Sequence, residues 1–452
     1  MNRIKLLFLL VCVLIFALLS AGCSREPKRK PAEPPVKIAF ALADMNRDGN
    51  KTIKKVVDEQ KKRANVNVTW LDARNDPAEQ QKQLDELAKK KVKAVVLQPV
   101  DPGTAPALVE KLARSGIKVV VLENLPVSTP LDGYIASDHN MIGRLQARFV
   151  LEALRRADEV QSGKMTPPPA GGQGGQGAAP GAVDYSVLAQ LPKQRPLNVV
   201  ILRGDPRDQM AREITAANLA ALQGEKDIKI LGVYDHPRWD PAAVPADLAE
   251  IMGRGERIDV ILANDSTLAM AAVEYLKLGG YEKNVLTAGA GADEKASRAL
   301  VSGEHDAEVD VQPEMLGHFA LEAAGDLART GHWQYSARVE NGDYSVPARI
   351  VPVRLVTAKN AYLLEQRWKE LKKARKEEEK PQQEQQGQQQ GGQQAQQGGQ
   401  QGQQGGQGQQ GGKGKTILKI TTQDGKTMEV EIDGEVKKIE SGQQKQGGQQ
   451  GQ

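Results

Sequence analysis

The sequence predicts an α/β protein with two lobes, each built on a doubly wound parallel sheet. Residues 92–124 carry this prediction best, because two short apolar, β-branched runs there flank a segment with helical spacing that ends at Gly116. Strands this apolar are covered on both faces, and a strand–helix–strand unit joins parallel strands through a right-handed crossover. The same alternation of strands and helices runs over about 36–138 and again over about 197–311, which indicates two lobes.

Composition limits the classes of function. The 452 residues carry a net charge of only +4, and aromatic residues make up 4% of the chain, so we expect no nucleic-acid partner. The chain contains no Gly-x-Ser-x-Gly elbow, and its five histidines lack the His-Glu-x-x-His spacing of a zinc site. We therefore expect neither an enzyme nor a bound metal or other cofactor.

The first 22 residues have the pattern of an export signal. A positively charged start precedes the apolar run 6–19, and small residues then lead to Cys23. This order resembles a bacterial lipoprotein signal, in which Cys23 is lipidated and anchors the protein to the membrane; an ordinary signal peptide or anchor helix is the alternative. Cys12 would leave with the signal, so Cys23 has no partner for an intrachain disulfide. Residues 23–35 are charged and proline-rich, as suits a tether.

Residues 36–138 are predicted to form the N-terminal lobe, completed by a helix over about 313–332. Apolar runs indicate the strands, and Asp76 followed by Pro77 marks a helix start. The predicted strands are 36–43, 66–71, 92–97, 117–122 and 134–136, and the predicted helices are 52–63, 77–90 and 106–114.

Residues 139–312 are predicted to form the C-terminal lobe, with a contribution from about 346–360. The Pro-, Gly- and Gln-rich residues 161–181 interrupt it and have the composition of a disordered insert. The predicted helices of this lobe are 141–157, 211–222, 241–253, 266–278 and 293–302, and the predicted strands are 197–202, 228–234, 258–263, 285–288, 307–311 and one within 346–356. The helix predicted over 314–330 is the one that completes the N-terminal lobe.

The remaining residues are predicted extensions of the two lobes. Residues 361–380 should form a charged helix, and the Gln/Gly-rich residues 381–412 a flexible linker. Polar and apolar residues alternate over 413–440 around turn signals, which predicts a small β-hairpin or three-stranded piece, and so few strands need a partner. Residues 441–452 should be a disordered tail.

Polar residues follow five of the predicted strands. Parallel sheets bind ligands outside the carboxyl ends of their strands, and amides and carboxylates there can bond a ligand rich in hydroxyl groups. The alternative is that these residues only cap the helices that follow. The set points to a ligand site, although capping is the better interpretation of any single member. Its members are Gln98, Glu123, Asn124, Gly204, Asp205, Asn264, Asp265 and the segment 289–293.

The chain also resembles a known family, the type I periplasmic binding proteins of ribose/galactose/xylose type, which bind sugars for ABC uptake systems. The resemblance covers about 36–360, and its ending VPARIVPVRLVTAKN leans toward the D-xylose-binding branch. It implies two lobes joined by three crossings near Asp138, Gln312 and Val346, a sugar in the cleft and an ABC permease as partner. The matching phrases are VKIAFALA, DARNDPAEQQKQLDELAKKKVKAVVLQPVD, SGIKVVVLEN, YIASDHNMIGRLQA, WDPAA, VILANDSTLAMAAVEYL and VDVQPEMLG.

The resemblance also implies which residues contact a sugar. The Asp-Arg pair that the family has after its fourth strand is Glu123-Asn124 here, a late aspartate of the family falls on Gly291, and residues 44–50 lack the family's aromatic cover. These departures leave the fold inference intact, but pentose specificity does not follow. The implied contacts are Gln98, Glu123, Asn124, Trp239, Asn264 and Gln312, and the further candidates are Asp138, Asp205, Arg212 and Asp265.

The leading functional interpretation is an extracytoplasmic solute-binding lipoprotein that binds a small polar ligand, with a monosaccharide first among candidates, and delivers it to an ABC permease. The alternative is a non-transport ligand sensor or envelope interaction protein with a modified cleft. The altered contact positions and the added C-terminal segments favour the alternative, while the intact lobes fit both. A transcriptional repressor of the same fold is excluded by the export signal.

Overall fold

The computed structural model describes residues 34–163, 191–192, 194–281, 284–369, 371, 415–421 and 427–433. The predictions for the export signal, the lipidated Cys23, the linker and the tail concern residues outside this set, as do most of those for the tether and the insert.

Strands and helices alternate along the described chain, as the sequence predicted. The strands are β1 Val36–Leu42, β2 Val66–Asp72, β3 Ala94–Leu97, β4 Lys118–Leu122, β5 Gly133–Ser137, β6 Leu197–Arg203, β7 Ile228–Asp235, β8 Val260–Ala263, β9 Leu286–Ala290, β10 Ala307–Asp310, β11 Ala337–Asn341, β12 Tyr344–Val351, β13 Arg354–Val356, β14 Lys415–Thr421 and β15 Thr427–Asp433.

Most helices begin where the chain supplies a capping side chain or a proline. Asp138 accepts a hydrogen bond from the Met141 amide, and Asp265 accepts one from the Leu268 amide, so that each satisfies a free amide of a first helical turn. The helices are α1 Asp48–Gln60, α2 Pro77–Leu87, α3 Ala105–Arg114, α4 His139–Gln161, α5 Gln209–Leu222, α6 Val244–Gly253, α7 Ser266–Gly279, α8 Glu294–Ser302 and α9 Pro313–Thr330.

The first lobe is a seven-stranded sheet in the order β11-β12-β5-β4-β3-β1-β2. Every neighbouring pair is parallel except β11 with β12. One face packs on α1 and α9, where Phe40 and Leu316 share a buried cluster, and the other packs on α2 and α3, where Leu97 and Leu108 share another. The apolar strands are therefore covered on both faces, which is the doubly wound arrangement predicted from their composition.

The second lobe is a six-stranded sheet in the order β13-β10-β9-β8-β6-β7, parallel except for β13. Its core also lies on both faces. Phe149 of α4 and Leu222 of α5 belong to the cluster on one face, while Leu248 of α6 and Leu268 of α7 belong to the cluster on the other. The predicted fold class, two doubly wound lobes, is confirmed.

The chain passes between the two lobes three times. The first passage is at Asp138, between β5 and α4, and the second is at Gln312, between β10 and α9. The third lies at residues 352–353, between β12 and β13, and the expectation of a crossing near Val346 is wrong. The reason is that β12 pairs with β5 in the first sheet, so only β13 reaches the second. Residues 346–351 therefore belong to the first lobe. The prediction that 346–360 belong to the second lobe is wrong for these residues.

The three passages are hydrogen-bonded to one another. The Asp138 amide donates to the Val351 carbonyl over 3.0 Å. The Gln312 side chain donates to the Pro352 carbonyl. The three passages therefore lie together and form one compact hinge between the lobes.

The segment after the second lobe differs from the charged helix predicted over 361–380. Ala361–Leu364 is a 3-10 turn, and the described residues that follow it are mostly further turns. Leu364 and Trp368 pack in a small cluster with Leu300 of α8, and Arg367 pairs with Asp310 over 2.8 Å. These contacts hold the segment against the second lobe, which a straight exposed helix would not allow.

The strands β14 and β15 form an antiparallel hairpin in which Leu418 lies opposite Val430. A hairpin is one of the two arrangements predicted for 413–440, of which residues 413–414, 422–426 and 434–440 lie outside the described residues. The hairpin belongs to a second compact unit, residues 384–452, distinct from the unit of residues 1–383 that contains both lobes. Within the described residues, no helix is long and apolar enough to cross a membrane.

Candidate functional site

A cleft of about 860 Å³ lies between the two lobes. Its walls are the segments that follow β1 to β5 in the first lobe and β6 to β9 in the second, together with the start of α9. It therefore occupies the position where parallel sheets bind ligands, and its volume is within the range of small-molecule sites.

Gln98 follows β3 and lines the first-lobe wall, as predicted. Its side-chain oxygen accepts hydrogen bonds from the Ala43 amide over 3.2 Å and from the Asn50 amide group over 2.8 Å. Its backbone carbonyl accepts a bond from the side chain of Gln80 over 2.9 Å. Gln98 thus fixes the segments after β1 and β3 against each other, and this makes the first-lobe wall rigid.

Glu123 and Asn124 follow β4 and also line the cleft. Glu123 has a φ of 63°, a left-handed conformation that a non-glycine residue adopts only under constraint. Its carboxylate accepts bonds from the Ser137 amide over 3.1 Å and the Ser137 hydroxyl over 3.0 Å, and it lies 2.7 Å from Nε2 of His139. These bonds hold the carboxylate in one orientation, while the neighbouring Asn124 amide is half-buried in the same wall.

Trp239 supplies an aromatic ring to the second-lobe wall. The ring packs over Gly204, where a Cβ atom would lie 2.3 Å from a ring carbon, so that only glycine leaves room for it. Its indole nitrogen donates to the Asp208 carboxylate over 3.2 Å. The ring is thereby fixed from one side and one edge, an arrangement suited to packing on the C–H face of a ligand.

Asp205 is buried at the end of β6 and lines the cleft. Its carboxylate accepts bonds from the Arg238 amide over 2.9 Å and from the Arg207 guanidinium over 2.8 Å. Burial opposes its ionisation, but the Arg207 bond and the bonds from backbone amides outweigh burial and lower the pKa of Asp205. Asp205 is therefore ionised, and its hydrogen bonds hold the loop that carries Trp239 in place.

Three further aspartates at the start of second-lobe helices line the cleft: Asp208, Asp265 and Asp293. Burial raises the pKa of Asp208 and of Asp265 to about 6. Burial and then the charges of Asp48 and Glu308 raise the pKa of Asp293 to about 7. The negative charge of the second-lobe wall thus increases as the pH passes from about 6 to about 7.

The cleft wall is predominantly acidic. Among the described residues, its carboxylates outnumber its cationic side chains by nine to three. No group of acidic, histidine or cysteine side chains in the described chain has a geometry that could hold a metal ion. The carboxylates are Asp44, Asp48, Asp101, Glu123, Asp205, Asp208, Asp240, Asp265 and Asp293, and the cations are Arg47, Arg207 and Arg238.

Two polar contacts join the lobes across the mouth of the cleft. Arg207 of the second lobe donates to Asp101 of the first lobe over 2.9 Å. The Glu294 amide, at the start of α8, donates to Asp48 of the first lobe over 3.0 Å. The structure therefore has the two walls close together.

Asn264 does not line the cleft, although we expected it to contact the ligand. Its side chain is fully buried, and its oxygen accepts bonds from the Gly204 amide over 3.2 Å and the Thr215 hydroxyl over 3.1 Å. Its side-chain nitrogen has no hydrogen-bond partner among the described residues. Asn264 supports the glycine on which Trp239 packs, and the adjacent Asp265 faces the cleft instead.

Three other candidates also lie outside the cleft lining. Gln312 belongs to the hinge, and Asp138 caps α4 there. The Arg212 guanidinium donates to the backbone carbonyls of Pro206 and Arg207, so that it braces the loop before α5. None of the three side chains lines the cleft, because each is engaged in hydrogen bonds that hold the backbone near it.

The structure also places residues in the site that the sequence did not single out. Asp44, Asp48 and Asn50 enter the wall from the segment after β1, which the sequence analysis considered only for its lack of aromatic residues. Asp101 and Arg207 come from loops 106 residues apart that meet only in the folded protein. The sequence indicated these residues only through their positions shortly after predicted strands.

The fold and the cleft define a class of protein: two α/β lobes that enclose a small polar ligand at a hinge. A family model described as a periplasmic binding protein domain matches residues 38–332. The chain belongs to this family, whose members are solute-binding proteins and not enzymes.

Curated relatives are similar to this chain over most of their length. The ribose import binding protein RbsB of Bacillus subtilis is 24% identical over 315 residues, which cover 68% of this chain and 89% of the relative. The D-xylose-binding periplasmic protein of Escherichia coli is 20% identical over 357 residues, which cover 77% of this chain and 92% of the relative. These low identities do not favour one sugar branch over the other, and the leaning toward the xylose branch stays a prediction.

Solved structures show the same fold. An ABC transporter solute binding protein from Bacillus halodurans, with bound myo-inositol, superposes with a TM-score of 0.57 at 17% sequence identity. The match covers 75% of this chain and all of that protein.

Proposed function

We propose that this protein is an extracytoplasmic solute-binding protein that takes up one neutral or cationic monosaccharide or polyol in the interlobe cleft and passes it to an ABC permease. The observation that carries the proposal is the cleft itself, which is lined by carboxylates of both lobes, side-chain amides of the first lobe and the ring of Trp239. Such a set can accept hydrogen bonds from several hydroxyl groups while the ring covers an apolar face.

The relatives support the ligand class. The named ligands of the relatives and of the solved structure, ribose, xylose and myo-inositol, are small, uncharged and rich in hydroxyl groups. The excess of carboxylates in the cleft adds a second requirement, because an anionic ligand would have to approach like charges in a partly desolvated site. Sugar phosphates and sugar acids are therefore outside the proposed class.

A direct test is titration calorimetry on one purified chain that contains both lobes and the extensions. The ligands to titrate are D-ribose, D-xylose, D-glucose, myo-inositol and D-glucosamine. The proposal predicts saturable one-to-one binding of at least one of them, and a ligand at about 100 times its Kd should stabilise the protein by roughly 2.7 kcal/mol. Absence of binding to this set and to a wider polyol panel would contradict it.

The C-terminal unit favours a second candidate function, in which the protein senses its ligand and signals to an envelope partner. The hairpin of β14 and β15 lies in a unit distinct from that of the two lobes. Binding a ligand and delivering it to a permease do not require such a unit. Deletion of residues 384–452 distinguishes the two. Sugar uptake should be unaffected under the transport proposal, whereas a sensor would lose its response and keep its ligand affinity.

A further inference from the structure

A buried histidine at the hinge is bonded to carboxylates of both lobes. His139 is the first residue of α4 and follows the first passage between the lobes. Its Nε2 lies 2.7 Å from Oε2 of Glu123, which belongs to the first lobe and lines the cleft. Its Nδ1 lies 3.0 Å from Oε2 of Glu213, which belongs to α5 of the second lobe. The histidine side chain is only 2% exposed.

Both ring nitrogens face carboxylate oxygens, and only an imidazolium can donate from both. Burial of the ring opposes protonation, but the hydrogen bonds and charges of Glu123 and Glu213 outweigh burial and raise the pKa of His139 to about 10. Burial likewise opposes ionisation of Glu213, but the bonds from His139 and Gln209 lower its pKa. The geometry and this raised pKa thus favour a protonated ring held between the carboxyl groups of Glu123 and Glu213.

Other polar groups around this unit are few and well defined. Asp208, before α5, is close enough for the charge of His139 to lower its pKa against the larger effect of burial. The Tyr134 hydroxyl donates to the Glu123 carbonyl over 2.7 Å, and Gln209 donates to Glu213 over 2.6 Å. Arg212 contributes a positive charge near Glu213.

We propose that His139 is a positioning residue that sets the hinge and the ligand site together. Its cation is fastened to the second lobe by Glu213 and holds the Glu123 carboxylate of the first lobe in its orientation toward the cleft. A ligand that bonds to Glu123 therefore bonds to the same hydrogen-bonded unit that joins the lobes. The role at the ligand site rests on the proposed function, while the tie between the lobes does not.

The packing of α4 on α5 explains why this tie is stiff. Gly143, one turn after His139, lies so close to α5 that a Cβ atom there would be 2.3 Å from the Ile214 carbonyl. The Asn218 side chain on α5 donates to the Gly143 carbonyl over 2.8 Å. This close packing of α4 on α5 keeps His139 in place on the second lobe, so that movement of the lobes relative to each other changes the bond between His139 and Glu123.

The test uses small-angle scattering of the sugar-free full chain, so its outcome is independent of whether any sugar binds. His139→Gln should increase the radius of gyration at pH 7.5, because a neutral amide lacks the positive charge and donates from one nitrogen only, so it cannot reproduce the bonds that the two ring nitrogens make to Glu123 and Glu213. Wild type should show the same increase as the pH is raised through about 10, and His139→Gln should show none. Glu213→Gln should keep the transition but move its midpoint to lower pH.

His318→Gln is the matched control, because His318 lies near Glu322 on the same helix, with 3.8 Å between Nε2 and the carboxylate, and does not join the lobes. It should follow the wild-type pH profile. If His139→Gln shows the wild-type radius of gyration and the wild-type profile, the proposal is overturned. If His139→Gln does not fold, the pH midpoint of the change in radius of gyration in Glu213→Gln is the deciding measurement. A midpoint equal to that of wild type overturns the proposal.

Affinity measurements on a sugar found by calorimetry test the second half of the proposal. His139→Gln should weaken its binding at pH 7.5 about ten-fold, and His318→Gln should not change it. Normal affinity in His139→Gln together with an altered radius of gyration would overturn the link to the ligand site. No binding of any sugar by wild type, with the scattering result as expected, would contradict the proposed function and leave the hinge tie standing.

Discussion

Trp239 is the one aromatic ring among the described residues that line the cleft, and it is held in place by Gly204 and Asp208. If it packs on a ligand face, Trp239→Ala should weaken binding by about 1 kcal/mol, or roughly five-fold in Kd. Calorimetry at a fixed pH measures this. Trp333→Ala is the control, because Trp333 packs beside Gly133 outside the cleft and its indole donates to the Asp132 carbonyl. An equal loss in both variants would contradict the role of Trp239.

Asn264 illustrates how a residue next to a site can act through stability. Its oxygen bonds two buried donors, the Gly204 amide and the Thr215 hydroxyl. We expect Asn264→Ala to lower the free energy of unfolding by about 2–4 kcal/mol, since both donors would be left buried and unpaired. Urea denaturation measures the change.

The half-buried Asn124 gives the matching control for this residue. Asn124→Ala should leave the free energy of unfolding within about 0.5 kcal/mol of wild type and weaken ligand binding. The reverse pattern, with Asn264→Ala stable and Asn124→Ala unfolded, would show that the two roles are assigned the wrong way round.

At the level of elements, three helices of the second lobe, α5, α7 and α8, follow aspartates that line the cleft. Asp293 precedes α8, and its pKa of about 7 lies well above the ordinary 3.8. The native state therefore keeps a proton that the unfolded state has already released. This contribution to stability is fully present below about pH 4 and is lost as the pH rises through about 7.

We accordingly expect Asp293→Asn to show a smaller fall in Tm than wild type between about pH 4.5 and 7.5. Differential scanning calorimetry over this range measures the slope. Asp240→Asn, which removes an exposed carboxylate of the same wall, controls for the loss of one negative charge and should retain the wild-type slope. A wild-type slope in Asp293→Asn would mean that its carboxyl group does not titrate in this range.

At the level of the whole molecule, the acidic cleft should select ligands by charge. D-glucuronate and D-galacturonate should bind at least about ten-fold more weakly than D-glucose and D-galactose, if either neutral sugar binds. The difference should shrink at high ionic strength, because salt screens the carboxylates of the wall. Calorimetry at low and high salt measures both effects, and tighter binding of a uronate would contradict the charge argument.

The predicted attachment to the membrane concerns the whole chain and depends on Cys23, which lies outside the described residues. Cys23→Ser should release the protein from the membrane fraction, because lipid chains on this residue are the predicted anchor once the signal is removed. Fractionation followed by immunodetection measures the distribution. A mutant that stays with the membranes would show that another segment or a partner holds it there.

Local patterns in the sequence determined the fold class and the place of the site. Apolar runs such as β3 and β4, separated by a segment with helical spacing, predict strands covered on both faces, and parallel strands bind ligands beyond their carboxyl ends. Gln98, Glu123, Asn124, Asp205, Trp239 and Asp265 lie in the cleft wall for that reason.

Tertiary structure alone decided which neighbouring side chains face the cleft and where the lobes are joined. Asn264 and Asp265 are adjacent in the chain, yet one is fully buried and the other lines the cleft, because successive side chains at a strand end point in different directions. His139 and Glu213 are 74 residues apart, and no local pattern indicates that they meet. Such contacts depend on how α4 packs on α5, which is settled only when the whole core forms.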